Sequence, residues 1–219
     1  KDFPRYGSWM DKCGINRRHV SMVDNEFTAQ AFITTDLDDN QITAFHPGAM
    51  NMSHLNDVNE AEGVSIGVVS PDGRDGMIQH ASQFAEADIP FIFDPSQGLP
   101  MFDGEDLRRF IDQATWLAVN DYEWELIKER TGLSENEAQK MLSALIITRG
   151  ARGSEIHTDG ACIEIPAAKP AETADPTGCG DAYRAGLLYG LMKGLDWETT
   201  GRIASLMGAI KIERHGTQN

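Results

Sequence analysis

The feature that most restricts what this chain can fold into is an alternation: from residue 63 onward, short apolar runs alternate with helical stretches. The runs at 64–69 (VSIGVV), 91–93 (FIF), 116–119 (WLAV) and 144–147 (ALII) are too short for helices and apolar at successive positions, as strands covered on both faces are. Between them, Ile78, Ala81, Phe84 and Ala85 recur at helical spacing, and 105–112 and 122–130 also read as helices. A further helix opens at Ser134, with Glu137 at capping-box spacing. Strands alternating with helices predict an α/β fold, a mostly parallel sheet covered on both faces. Residues 153–165 read as a hairpin turning at Asp159-Gly160. The chain from Asp181 onward reads as a long helical tail, with Ala182, Ala185, Leu188, Tyr189 and Met192 as its apolar stripe. Ahead of the alternating region, two β-rich runs flank the polar stretch 36–40 and form a second hairpin. The expected division is a helical and loop segment at 1–26, the hairpin at 27–46 and the α/β core at 47–219.

Charge narrows the partners. Acidic residues outnumber basic ones 34 to 19, for a net charge of −15, a surface that repels a nucleic-acid backbone and anionic lipid. Neither nucleic acid nor membrane is an expected partner. An anionic substrate such as ATP needs a local positive field or a metal ion against this background. Cys13, Cys162 and Cys179 form no CxxC pair, and the six histidines form no HxxxH or HxH cluster, so neither a disulfide framework nor a structural zinc site is expected. The cytoplasm is the expected compartment. No apolar run reaches the roughly 18 residues of a membrane helix, and no apolar stretch follows the charges of Lys1 to Tyr6 as in a signal peptide.

A polar cluster follows each of three strands: Asp94-Pro95-Ser96-Gln97, Asn120-Asp121-Tyr122-Glu123 and Thr148-Arg149-Gly150. In an open α/β sheet, ligands bind at the carboxyl ends of the strands, where these clusters would converge. Any one of them serves equally well as a turn or helix cap; the three together favour a site. The densest signal is Asp175-Pro176-Thr177-Gly178-Cys179-Gly180-Asp181, a glycine-rich turn feeding a helix. Its small residues let backbone N–H groups face an anion, and the helix dipole adds roughly half a positive charge. Asp181 at its mouth is placed to accept a proton from a hydroxyl nucleophile. From the residues alone, a glycine loop with Asp181 as a plain helix cap reads equally well. No GxxxxGK[ST], HRD or DFG stretch occurs.

These stretches resemble the PfkB family of ribokinase-like kinases. Residues 175–181 are similar to its D-T-x-G-A-G-D signature, with Cys179 in place of the usual alanine. The resemblance implies a three-layer α/β/α sandwich with a mostly parallel central sheet and a small β lid formed by the 27–46 hairpin. It makes Asp181 the catalytic base and Gly178, Cys179 and Gly180 the anion hole. Asn120 and Glu123 match the N-x-x-E motif that organises Mg²⁺. Thr148, Gly150 and Gly153 match the T-x-G-x-x-G stretch of the nucleotide site, to which Thr177 also belongs. ATP and Mg²⁺ are the implied cofactors, and a homodimer paired through the lid the implied assembly. Within the family, residues 31–50 are similar to bacterial adenosine kinases, which implies adenosine as acceptor and an adenine ring sandwiched between Phe32 and Phe45. Both rings could instead pack the lid. Gln97, after Asp94, is a further candidate for a substrate contact. A sugar kinase, or a nucleotide-binding regulator without activity, are the alternatives. Members of the family are longer, and the alignment of motifs puts the difference mainly ahead of this chain.

Overall fold

The computed structural model describes residues 2–35 and 41–217; the polar turn expected at 36–40 lies outside them. Helix α1 (Phe3–Lys12) precedes an antiparallel pair, β1 (Gln30–Thr35) and β2 (Gln41–His46), which forms a two-stranded sheet of its own. The main sheet has six strands in sequence order: β3 (Gly67–Val69), β4 (Phe91–Phe93), β5 (Trp116–Asn120), β6 (Ala144–Thr148), β7 (Ser154–Thr158) and β8 (Ala161–Ile165). The first four are parallel, and β7 and β8 return antiparallel as the expected hairpin.

Side-chain alternation sorts the strands into two apolar layers. Phe91, Phe93, Leu117, Val119, Leu145 and Ile147 face one way, against α2 (Arg74–Glu86), α3 (Gly104–Gln113), α4 (Asp121–Thr131) and α5 (Glu135–Met141). Ile92, Ala118, Ala144 and Ile146, joined by Ile156 and Ile165, face the other way, against α6 (Cys179–Lys193) and α7 (Trp197–Ile212). Runs apolar at every position are thus explained: each strand is covered twice. Ser134 and Glu137 form the capping box that opens α5.

The tail differs from expectation. It is two helices rather than one, divided after Gly194, a left-handed cap at φ 63°. Most of the expected stripe also faces outward: Tyr189 and Met192 are 53% and 66% exposed and Ala185 is exposed too, while Leu188 packs against the core. The packed face of α6 is Tyr183, Gly186, Leu187 and Gly190. A Cβ on Gly186 would lie 2.4 Å from the Ala204 Cα, and one on Gly190 2.4 Å from the Thr200 Oγ1. Two glycines let α7 approach more closely than large side chains would allow, and close contact outweighs bulk here.

Candidate active site

Because β3 to β6 run parallel, their carboxyl ends share one rim, and in register Asn120 pairs with Thr148. Against this rim lies the start of α6. Gly178 is its left-handed N-cap at φ 85°, a conformation that favours glycine, and Gly180 and Asp181 are exposed on the first turn. The turn is pinned from below. Asp175 accepts from the Thr177 N–H through Oδ1 (2.9 Å) and from the Gly216 N–H through Oδ2 (2.9 Å). Lys211 Nζ donates to the Asp175 carbonyl (3.2 Å). The Gly216 and Thr177 donors hold the Asp175 carboxyl well below the usual carboxylate range. A depressed pKa contributes stability that is present above the ordinary value of 3.8 and is lost as pH falls through the folded value. Asp175→Asn keeps one acceptor and turns an N–H of its own toward Gly216. It is expected to lower turnover about tenfold at neutral pH and to lower the melting temperature as well, as initial rates and a thermal scan would show. Unchanged rates would mean the pin does not matter.

The three backbone groups assigned to the anion hole are not equivalent. The Cys179 N–H already donates to the Pro176 carbonyl (3.1 Å), inside the turn. Burial pushes the Cys179 thiol up, away from thiolate.

Beneath the turn lies a buried ion pair. Arg184 Nε and Nη2 donate to Asp94 Oδ2 (3.0 Å) and Oδ1 (2.8 Å), a two-pronged contact between side chains 10% and 5% exposed. Arg184 also reaches the carbonyls of Gly180 and Ala118, both at 3.4 Å. Asp94 is hydrogen-bonded by the Ser70 hydroxyl as well; burial raises its carboxyl and Arg184 opposes the rise. The pair therefore joins the residues just after β3 and β4, and the middle of β5, to the first turn of α6. Sequence reasoning picked out Asp94 but passed over Arg184, although an arginine on an otherwise apolar helix, three residues after Asp181, was a readable sign.

Asn120 and Glu123 come together as a capping box at the start of α4. Asn120 Oδ1 accepts from the Glu123 N–H and Glu123 Oε2 from the Asn120 N–H, both at 2.8 Å. The cap reading of this cluster is therefore realised. It occupies one carboxylate oxygen of Glu123 and leaves the other, on a half-buried carboxyl that burial raises. Thr148 donates to the Val119 carbonyl (3.3 Å). Gly150 and Gly153 take φ values of 56° and 88°, and a Cβ on Gly153 would strike the Ile165 carbonyl at 2.0 Å. Thr177 and Gln97 are exposed, Gln97 within the 3₁₀ turn Ser96–Met101. Away from the rim, Glu155, His157 and Cys162 bring ligand-type atoms within 4.8 Å of one another, though Arg149 already grips the Glu155 carboxylate.

Phe32 and Phe45 are not brought together as expected. In the β1–β2 register Phe32 pairs with Ala44 and Phe45 with Ala31, so the two rings point to opposite faces of the hairpin. They are 62% and 52% exposed, with Ile42 beside Phe32 and Ile33 beside Phe45 on their respective faces. Within this hairpin they do not form one sandwich.

Comparison with known proteins agrees with this architecture. The pfkB family carbohydrate kinase profile matches residues 2–219. The nucleoside kinase of Methanocaldococcus jannaschii is 34% identical over 215 residues, 97% of this chain and 70% of that protein. The structure of Burkholderia thailandensis nucleoside kinase in complex with inosine superimposes with a TM-score of 0.97 at 53% identity, over 99% of this chain and 72% of that one. The ribokinase of Thermotoga maritima shares the fold at 21% identity and a TM-score of 0.83, over 100% of this chain and 73% of that one.

Proposed function

We propose that this chain, which belongs to the pfkB family of carbohydrate kinases and is thereby a phosphotransferase acting on hydroxyl groups, phosphorylates the primary hydroxyl of a purine nucleoside, adenosine first among them. The observation that carries the chemistry is the position of Asp181, an exposed carboxylate on the first turn of α6, directly after the glycine turn and against the strand-end rim. ATP lies along that rim, past Thr148, Gly150, Gly153 and Thr177. The acceptor oxygen attacks the γ-phosphorus in line; its proton passes to Asp181, and the bond to the β-phosphate oxygen breaks, releasing ADP. Negative charge on the transferring group faces the helix N-terminus and the N–H groups of the turn at 178–180, preorganised donors of the kind that supply the largest catalytic contribution. Asn120 and the remaining oxygen of Glu123 would hold a divalent ion such as Mg²⁺ through water, and the ion would supply positive charge against the phosphates.

The nucleoside part of the reading draws on the 53% identical structure that holds inosine, and on the exposed aromatic rings of the hairpin, which serves as lid. ADP release from Mg·ATP with adenosine, inosine, ribose and fructose offered separately tests it. Strong turnover with the nucleosides and little with free sugars is expected, and turnover with a sugar alone would overturn it. Opposite facing of the two rings sharpens the test. A single aromatic stack is worth about 1–3 kcal/mol, so one of Phe32→Ala and Phe45→Ala should raise the nucleoside KM by about tenfold or more and the other should leave it within about threefold. Equal large increases would restore the sandwich.

A further inference from the structure

Among the described residues, two lysine or arginine side chains are buried, Arg184 and Lys211, each 8% exposed, and both lie against the turn that opens α6. Their charges are handled differently. Arg184 is matched by the Asp94 carboxylate. Lys211, on the last turn of α7, donates instead to two backbone carbonyls, Asp175 (3.2 Å) and Arg214 (3.0 Å). No carboxylate among the described residues lies within ion-pair distance of it.

Burying an ammonium without a counter-ion is costly. The chain has 34 acidic residues, and none of the described ones closes an ion pair with this charge. An exposed lysine could cap α7 equally well with its head group in water. What burial adds is position. Lys211 Cε lies 3.4 Å from where a Cβ on Gly178 would stand, immediately behind the turn. The ammonium is bonded to the carbonyl of the residue that pins Thr177 and Gly216. Its charge adds to the Gly216 and Thr177 donors in lowering the Asp175 carboxyl, and it opposes the rise that burial imposes on the Cys179 thiol. The side chain thus supplies, from a distant helix, the positive potential that the glycine turn lacks in its own sequence and that a net charge of −15 opposes.

We propose that Lys211 is a positioning residue of the phosphoryl-transfer site, its ammonium fixing the Asp175 carbonyl and lending to the back of the 178–180 turn a positive charge that no ion pair takes up. The proposal rests on the assignment of that turn and Asp181 to the reaction, and Asp181→Asn is therefore measured alongside it. In the full-length protein, Lys211→Met is expected to lower kcat by roughly 30- to 100-fold with the KM for ATP changed by less than about threefold, since the charge acts on the group in flight. Lys211→Arg should recover part of that loss. Ethylammonium in the tens of millimolar should restore Lys211→Ala by about tenfold, a response that a folding defect does not give. A kcat for Lys211→Met within about threefold of the parent, while Asp181→Asn is inactive, would overturn the proposal. So would a loss accompanied by a lower melting temperature and relieved by neither arginine nor ethylammonium, the behaviour of a helix cap alone. Full turnover by Asp181→Asn would remove the proposal together with the assignment beneath it.

Discussion

Replacing Asp181 by asparagine is expected to cut turnover by about a thousandfold while leaving ATP binding near its original strength. The side chain stands exposed on the first turn of α6, so the exchange leaves no cavity and no orphaned partner. Asparagine is isosteric and can still serve the helix start; it cannot accept a proton. Loss of the base raises the barrier without touching the ground state, so kcat and kcat/KM for the acceptor should fall together. Calorimetric titration of ADP, with and without acceptor, separates this from a binding defect. A variant that kept most of its turnover would return Asp181 to the role of a helix cap.

How much of this was readable before the structure depends on the period of each signal. Strands covered on both faces announce themselves as unbroken apolar runs, and the four parallel strands fell where such runs predicted. The capping boxes at Ser134–Glu137 and Asn120–Glu123 are local, three residues apart, and equally legible. The second also shows why a motif can carry two readings, since the pair caps α4 with one carboxylate oxygen and keeps another. Failures came where spacing was trusted without register. Phe32 and Phe45 are both apolar and both in the hairpin, but pairing at Ala44 and Ala31 sends them to opposite faces, and apolar character alone does not fix that register. Bulky residues mark the apolar stripe of α6 in the sequence, whereas α7 packs on Gly186 and Gly190, which contribute nothing to a hydrophobic pattern. Arg184 and Lys211 carry little local signal because each reaches a partner far along the chain, Asp94 and Asp175 lying 90 and 36 residues away.

The Asp94–Arg184 pair yields the second large effect, and its two halves separate stability from function. Removing one member of a buried pair leaves the other charged, desolvated and alone, a cost of about 3–5 kcal/mol. For a chain of this size that corresponds to a fall of roughly 10 °C in melting temperature for Asp94→Ala. Taking out both charges gives a different result. With Asp94→Leu and Arg184→Met combined, neither residue needs water or a counter-ion, so most of the lost stability should return. Turnover should not return with it. Arg184 reaches the Gly180 carbonyl in the turn and the Ala118 carbonyl in β5, bonds that hold the first turn of α6 to the sheet, and methionine offers no donor to either. Misplacing a catalytic group by an ångström costs about a hundredfold in rate, so the double variant should melt near the parent and turn over about a hundredfold more slowly. Thermal scans and initial rates on the two variants decide the matter. If stability and turnover return together, the pair is a replaceable part of the core; if only stability returns, it exists to aim Asp181.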